Sequence, residues 1–195
     1  MTEVLNETDY DIDCAEFAAL ADYVLTQMHV ASDAELNILF IGAGPMEELH
    51  VKWLDLPGPT DVMSFPMDEL KPGTADNPTP PGMLGDICIC PEVATRQAAD
   101  SGHTAAEEML LLATHGILHL LGYDHAEDAE RAEMFALQRK LLLTFLASRC
   151  PRRCPPRRRA PRRSGPSPTC RSQCWPPSPW WWRAWRRASN RASRA

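Results

Sequence analysis

His115-Gly116-Ile117-Leu118-His119-Leu120-Leu121-Gly122-Tyr123-Asp124-His125 holds three of the chain's six histidines. His115 and His119 stand one helical turn apart, so on a helix both imidazoles share a face. Gly122 is a low-cost helix stop, and a turn there swings His125 back toward the pair. Three neutral imidazoles arriving from a helix and the turn after it make a facial nitrogen site. Such a site suits zinc and leaves a coordination position open. If the three histidines instead served as separate core or capping residues, each buried ring would need its own polar partner.

Working outward, Thr104-Ala105-Ala106-Glu107 is a capping box. It opens a helix that is apolar nearly all round as far as the histidines, which predicts a central, buried position. Beyond His125, Glu127 to Ala147 predicts a last amphipathic helix with Met134, Leu137, Leu141 and Phe145 as its apolar face. Upstream, Thr2 to Asn6, Glu35 to Ile41, Thr60 to Pro66 and Met83 to Cys90 read as strands. Asp13 caps an Ala/Leu-rich helix running to about Met28. Met46 to about Leu54 forms another, with Leu49, Trp53 and Leu54 inward, and Glu92 to Asp100 a short third. Residues 68 to 82, rich in Pro, Gly and Asp, predict an exposed loop. The expected fold is α/β (α+β): a small mixed β-sheet packed with helices, ending near residue 148.

Composition divides the chain at the same place. The net charge of −6 hides 6 Lys and Arg against all 26 Asp and Glu up to Ser148, and 14 Arg with no acid or Lys from Arg149 on. Residues 149 to 195 also hold 9 of the 18 Pro and 5 of the 6 Trp. We therefore read 1–148 as the functional domain and 149–195 as a disordered tail, its composition that of coding sequence in a shifted frame. The competing reading is a basic RNA-binding arm. No apolar run is long enough to span a bilayer, and the acidic, polar N-terminus is no signal peptide. Cytoplasmic location, with no membrane partner and no DNA partner, is the expectation. A strongly acidic body is a poor generic RNA binder, so any RNA affinity is expected to draw on a partner.

The histidine spacing matches the metzincin protease pattern H-E-x-x-H-x-x-G-x-x-H with one departure, Gly116 in place of the Glu. That Glu is the general base in those proteases. Glycine cannot replace it, which argues against peptide hydrolysis and for a different hydrolysis on a metzincin-like zinc helix.

His-Gly-Ile-Leu-His-Leu-Leu-Gly-Tyr-Asp-His closely resembles the signature of the YbeY-type bacterial endoribonucleases. Pro59-Thr60-Asp61-Val62-Met63-Ser64-Phe65-Pro66 and Leu84-Gly85-Asp86-Ile87-Cys88-Ile89 fit the same family in order and separation. The resemblance covers about residues 1 to 147. It implies a zinc-dependent, single-strand-specific endoribonuclease acting in 16S rRNA 3′-end maturation and 70S ribosome quality control. Its partners would be rRNA, the small ribosomal subunit and ribosomal proteins, and its metal ligands His115, His119 and His125. The family usually carries a catalytic Arg shortly before the Thr-Asp-Val strand. Lys52 is the best counterpart here, keeping the charge and losing the bidentate fork; a solvated helix-face lysine is the competing reading. Asp124, beside His125, is the candidate for orienting a ligand histidine, against a plain turn-forming role. Asp86 and Ser64 are weaker candidates, and His50 and His103 are expected at the surface. Two other functions compete: a metalloprotease of metzincin-like geometry with a displaced base, and a non-enzymatic ribosome assembly factor with a structural zinc.

Overall fold

Thr104 starts the helix on which the domain is built. In the computed structural model, which describes residues 1–149, its side chain accepts from the Glu107 backbone N–H while the Glu107 carboxylate returns to the Thr104 N–H. The helix so opened, α4 (Ala105–Leu120), is buried along almost its whole length, as its all-round apolarity predicts. The elements before it are β1 (Thr2–Asn6), α1 (Cys14–Gln27), β2 (Glu35–Phe40), α2 (Ala43–Leu54), β3 (Val62–Pro66), β4 (Met83–Ile89) and α3 (Pro91–Ser101); α5 (Asp128–Arg149) follows.

The four strands form one mixed sheet in the order β1-β2-β4-β3. β1, β2 and β4 run parallel, and β3 is an antiparallel edge. Alternation sorts the side chains between two faces. Leu36, Ile38 and Phe40 of β2 and Ile87 and Ile89 of β4 are fully buried on the face that α1 and α4 cover. Phe17 of α1 meets Phe40 edge-on, with ring centroids 4.7 Å apart. Full burial of such side chains contributes about 1.5–3 kcal/mol each. On the other face Ile41, Met46, Met63, Cys88 and Cys90 form a second, smaller cluster, against which Leu39, Leu49 and Phe65 pack. The mixed α/β architecture is the expected one.

Three local expectations change. Helix α2 begins at Ala43 rather than Met46, and only Met46 of its side chains is fully buried. Trp53 and Leu54 are 60% and 56% exposed instead of inward. The apolar cluster beneath α2 is small, and the helix's last turn runs beyond it to the edge strand, where Trp53 rests on Phe65 at 5.7 Å between centroids. The 68–82 loop is pinned rather than simply exposed: Leu70 and Thr79 are buried, and Gly73 and Thr79 donate to the Met28 and His29 carbonyls. On α5, Leu137 is half-buried and the buried position is Gln138, in register with Met134, Leu141 and Phe145. Apart from Arg149, residues 149–195 lie outside the described residues, and the reading of them as a disordered or shifted-frame tail lies there too.

Candidate metal centre

Helix α4 ends as its sequence demands. Gly122 adopts φ +85°. Its N–H bonds the His119 carbonyl at 2.9 Å, and the Tyr123 N–H bonds the Leu118 carbonyl at 3.0 Å. This pair of bonds is a Schellman stop, which glycine enters without the Cβ penalty. The chain then reverses, and His125 comes back over the last turn. His115, His119 and His125 each offer a ring nitrogen within 4.8 Å of the others. The Nε2 atoms of His115 and His119 are 3.1 Å apart. Two nitrogens on one tetrahedral zinc would be separated by roughly 3.3 Å, given Zn–N distances near 2.0–2.1 Å. The cluster can hold a metal ion, and the donor set fits zinc.

The electrostatics keep His115 and His119 in the ligating form. Burial pushes the His115 imidazole down to about 3, His119 and His125 adding to the effect and the Gln138 bond opposing it. Burial and then His125 lower His119, against the Asp124 carboxylate and a backbone bond at Tyr123. A neutral imidazole keeps a lone pair for a metal. The same burial makes the metal-free fold acid-sensitive. An unfolded histidine takes up its proton below its ordinary value of 6.5, whereas folded His115 resists protonation until about 3. His115 therefore contributes stability in full above pH 6.5, and that stability is lost as the pH falls from 6.5 toward 3. Melting temperatures of chelator-treated protein should fall across this window, and His115→Phe should flatten the slope. A wild-type melting temperature level from pH 7 to pH 4 would contradict this.

Gly116 has a steric reason. A Cβ there would lie 2.9 Å from Ile87 Cγ2, 3.0 Å from Ser64 Oγ and 3.1 Å from Ile87 Cδ1. Helix α4 thus rides against β3 and β4 at the residue that follows its first ligand candidate. Ser64, facing α4, donates to the Gly116 carbonyl at 3.4 Å, a long bond. A glutamate at this position would require Ile87 and Ser64 to shift, so packing opposes the protease base that is also missing from the sequence.

The other sequence candidates separate. Asp124 is exposed, and its Oδ1 accepts from the His125 backbone N–H at 2.6 Å. It shapes the turn that presents His125. Lys52 is exposed in the last turn of α2, its Nζ 5.5 Å over the Trp53 ring centroid. That helix packs on the Met63/Phe65 face of β3, whereas the histidine helix packs on the Ser64 face. Asp86 accepts from Asn37 Nδ2 at 2.8 Å and serves the sheet. His50 Nδ1 is 2.7 Å from the Gly58 carbonyl and braces the Pro-Gly-Pro turn. His103, expected at the surface, has a side chain only 9% exposed and is paired at 2.9 Å with buried Glu108. Three residues near the histidines escaped the sequence reading: Gln138, Arg131 and Phe135, all on α5. Gln138 carried a faint signal, an amide falling four residues after Met134 and seven before Phe145 in an apolar row.

Fold and site together define a mixed α/β protein with a three-histidine candidate metal centre at the C-terminal end of a buried helix. The Endoribonuclease YbeY family profile matches residues 3–146. An endoribonuclease YbeY of Beutenbergia cavernae is 64% identical over 148 residues, which is 76% of this chain and 99% of the relative. One from Leifsonia xyli is 58% identical over 143 residues, covering 73% and 94%. A solution structure of a Thermotoga maritima protein aligns with a TM-score of 0.55 at 26% identity, covering 76% of this chain and 91% of that one. The chain belongs to the Endoribonuclease YbeY family.

Proposed function

We propose that residues 1–148 form a zinc-dependent endoribonuclease that cuts single-stranded RNA, acting in 16S rRNA 3′-end maturation and 70S ribosome quality control. The observation that carries the proposal is the cluster His115, His119 and His125, with His115 and His119 held toward the neutral form by burial, beside a Gly116 crowded by Ile87 and Ser64. Family membership supports the RNA substrate. Among the described residues no helix is long and apolar enough to cross a membrane. A cytoplasmic enzyme working with rRNA, the small subunit and ribosomal proteins fits that, with neither membrane nor DNA as partner.

His115, His119 and His125 would hold the zinc ion, which when bound would supply Lewis acidity toward a phosphodiester. The remaining work falls to the chain. Asp124 holds the backbone of His125 in place through the bond to its N–H. Lys52 and Trp53 give RNA a cation beside an exposed ring, a combination that suits phosphate and base stacking. In this reading Lys52, the counterpart of the family arginine, would bring its positive charge to the RNA phosphate. The test is cleavage of single-stranded RNA, duplex RNA and casein by purified protein, with and without a chelator. Chelator-sensitive cutting of the single strand with casein intact is expected. Casein cleavage would support the protease reading, and RNA cleavage insensitive to both chelator and H119A would support a non-enzymatic assembly factor.

A further inference from the structure

Helix α5 gives no imidazole to the cluster, yet Arg131, Phe135 and Gln138 recur on it at helical spacing and all address the histidines. Gln138 and His115 are 4% and 7% exposed, so neither amide nor ring has water as its main partner. Gln138 Nε2 lies 3.3 Å from the Leu111 carbonyl oxygen. A carbonyl only accepts, so the amide must present its NH2 there. Its orientation being set, Oε1 is the atom 3.2 Å from His115 Nδ1. That oxygen also only accepts, so Nδ1 carries the hydrogen. A neutral imidazole has one ring proton, which leaves the lone pair on Nε2, the nitrogen that faces His119 at 3.1 Å.

The third histidine is held from the same helix. Arg131 Nε and Nη2 donate to the His125 carbonyl at 3.2 and 3.1 Å, and its Nη1 is anchored on Asp128 at 3.3 Å. Between these two contacts, the Phe135 ring lies nearly parallel to both His115 and His125, at 15° and 18°, with centroids 6.2 Å away in each case. A buried amide within an apolar row costs free energy unless its donor and acceptor are both bonded. Gln138 meets that condition by bonding one ligand candidate's ring and the backbone one turn before it.

We propose that α5 is the template of the metal centre and that Gln138 is its main positioning residue, locking His115 with Nδ1 protonated and Nε2 directed at the metal. Arg131 fixes the His125 turn in the same way from the outside. The inference rests on the metal reading of the three histidines. It predicts a preorganised site in which the tautomer is set before any metal arrives.

The experiment uses metal-free full-length chain. Long-range 1H–15N NMR of the histidine rings reads the tautomer, and competition with a chromophoric chelator reads Zn2+ affinity. Wild type is expected to show His115 protonated at Nδ1 alone. Gln138→Met should give a mixture of tautomers and a zinc affinity lower by about 10–100-fold, with unchanged circular dichroism. Arg131→Met should weaken zinc binding without altering the His115 tautomer. Wild-type His115 protonated at Nε2, or Q138M with wild-type tautomer and affinity, would overturn the proposal. Should Q138M fail to fold, the wild-type spectrum alone decides. Protein that takes up no zinc would instead overturn the metal reading, while the tautomer still tests the role of Gln138.

Discussion

His115→Ala protein is expected to retain no metal through purification and to cut single-stranded RNA at background rate. Three features make this the most severe loss of activity in the molecule. His115 is the buried member of the triad, and its Nε2 stands 3.1 Å from that of His119. Removing it leaves two imidazoles, fewer than the three protein ligands a catalytic zinc keeps. It also strands the Gln138 oxygen without the ring it meets at 3.2 Å, a buried acceptor whose loss of partner costs about 1–3 kcal/mol. Loss of an outer supporting contact typically lowers metal affinity 10–100-fold; loss of the ligand itself should exceed roughly 100-fold. Metal content by elemental analysis, paired with the cleavage rate, checks the result. Full nuclease activity in metal-free H115A would remove the triad from the chemistry.

Gly85→Ala is expected to be the most destabilising single methyl in the sheet. Gly85 sits at φ +137°, in a region that L side chains rarely adopt. An added Cβ would come 2.1 Å from the Phe65 carbonyl oxygen and 3.0 Å from its carbon. Those atoms are backbone of β3, paired across β4 with Phe65 opposite Asp86 and Pro66 opposite Gly85. They cannot yield without opening the edge of the sheet. Strain and overpacking together should cost about 3 kcal/mol or more, a large share of a typical 5–15 kcal/mol stability. The melting temperature should drop by about 10 °C. Because β3 also carries Ser64 against the Gly116 turn of α4, the zinc affinity of any folded G85A protein should fall as well. A wild-type melting temperature would show that β3 and β4 do not approach as closely as described.

What could be read from the sequence was what neighbouring residues decide. The Thr104 capping box, the apolar run behind it, the Gly122 stop and the return of His125 all lie within 22 consecutive residues, and each follows from local geometry. The four strands were legible for the same reason. Sheet order was not, and its consequences were missed with it. The small cluster beneath α2 leaves Trp53 uncovered. Gln138 and Arg131 reach the site only because α5 folds back on α4, a tertiary event that no period within α5 announces. The absence of a carboxylate at Gly116 is plain from the sequence. The crowding of that position by Ile87 and Ser64 comes only with the packed sheet.

The most direct test of the three-histidine centre is zinc titration into metal-free protein while cleavage of a single-stranded 16S rRNA precursor is followed. Activity absent at the start, rising with added zinc and reaching its plateau at one ion per chain in wild type but not in H119A, is the predicted result. Full cleavage by the metal-free protein would contradict it.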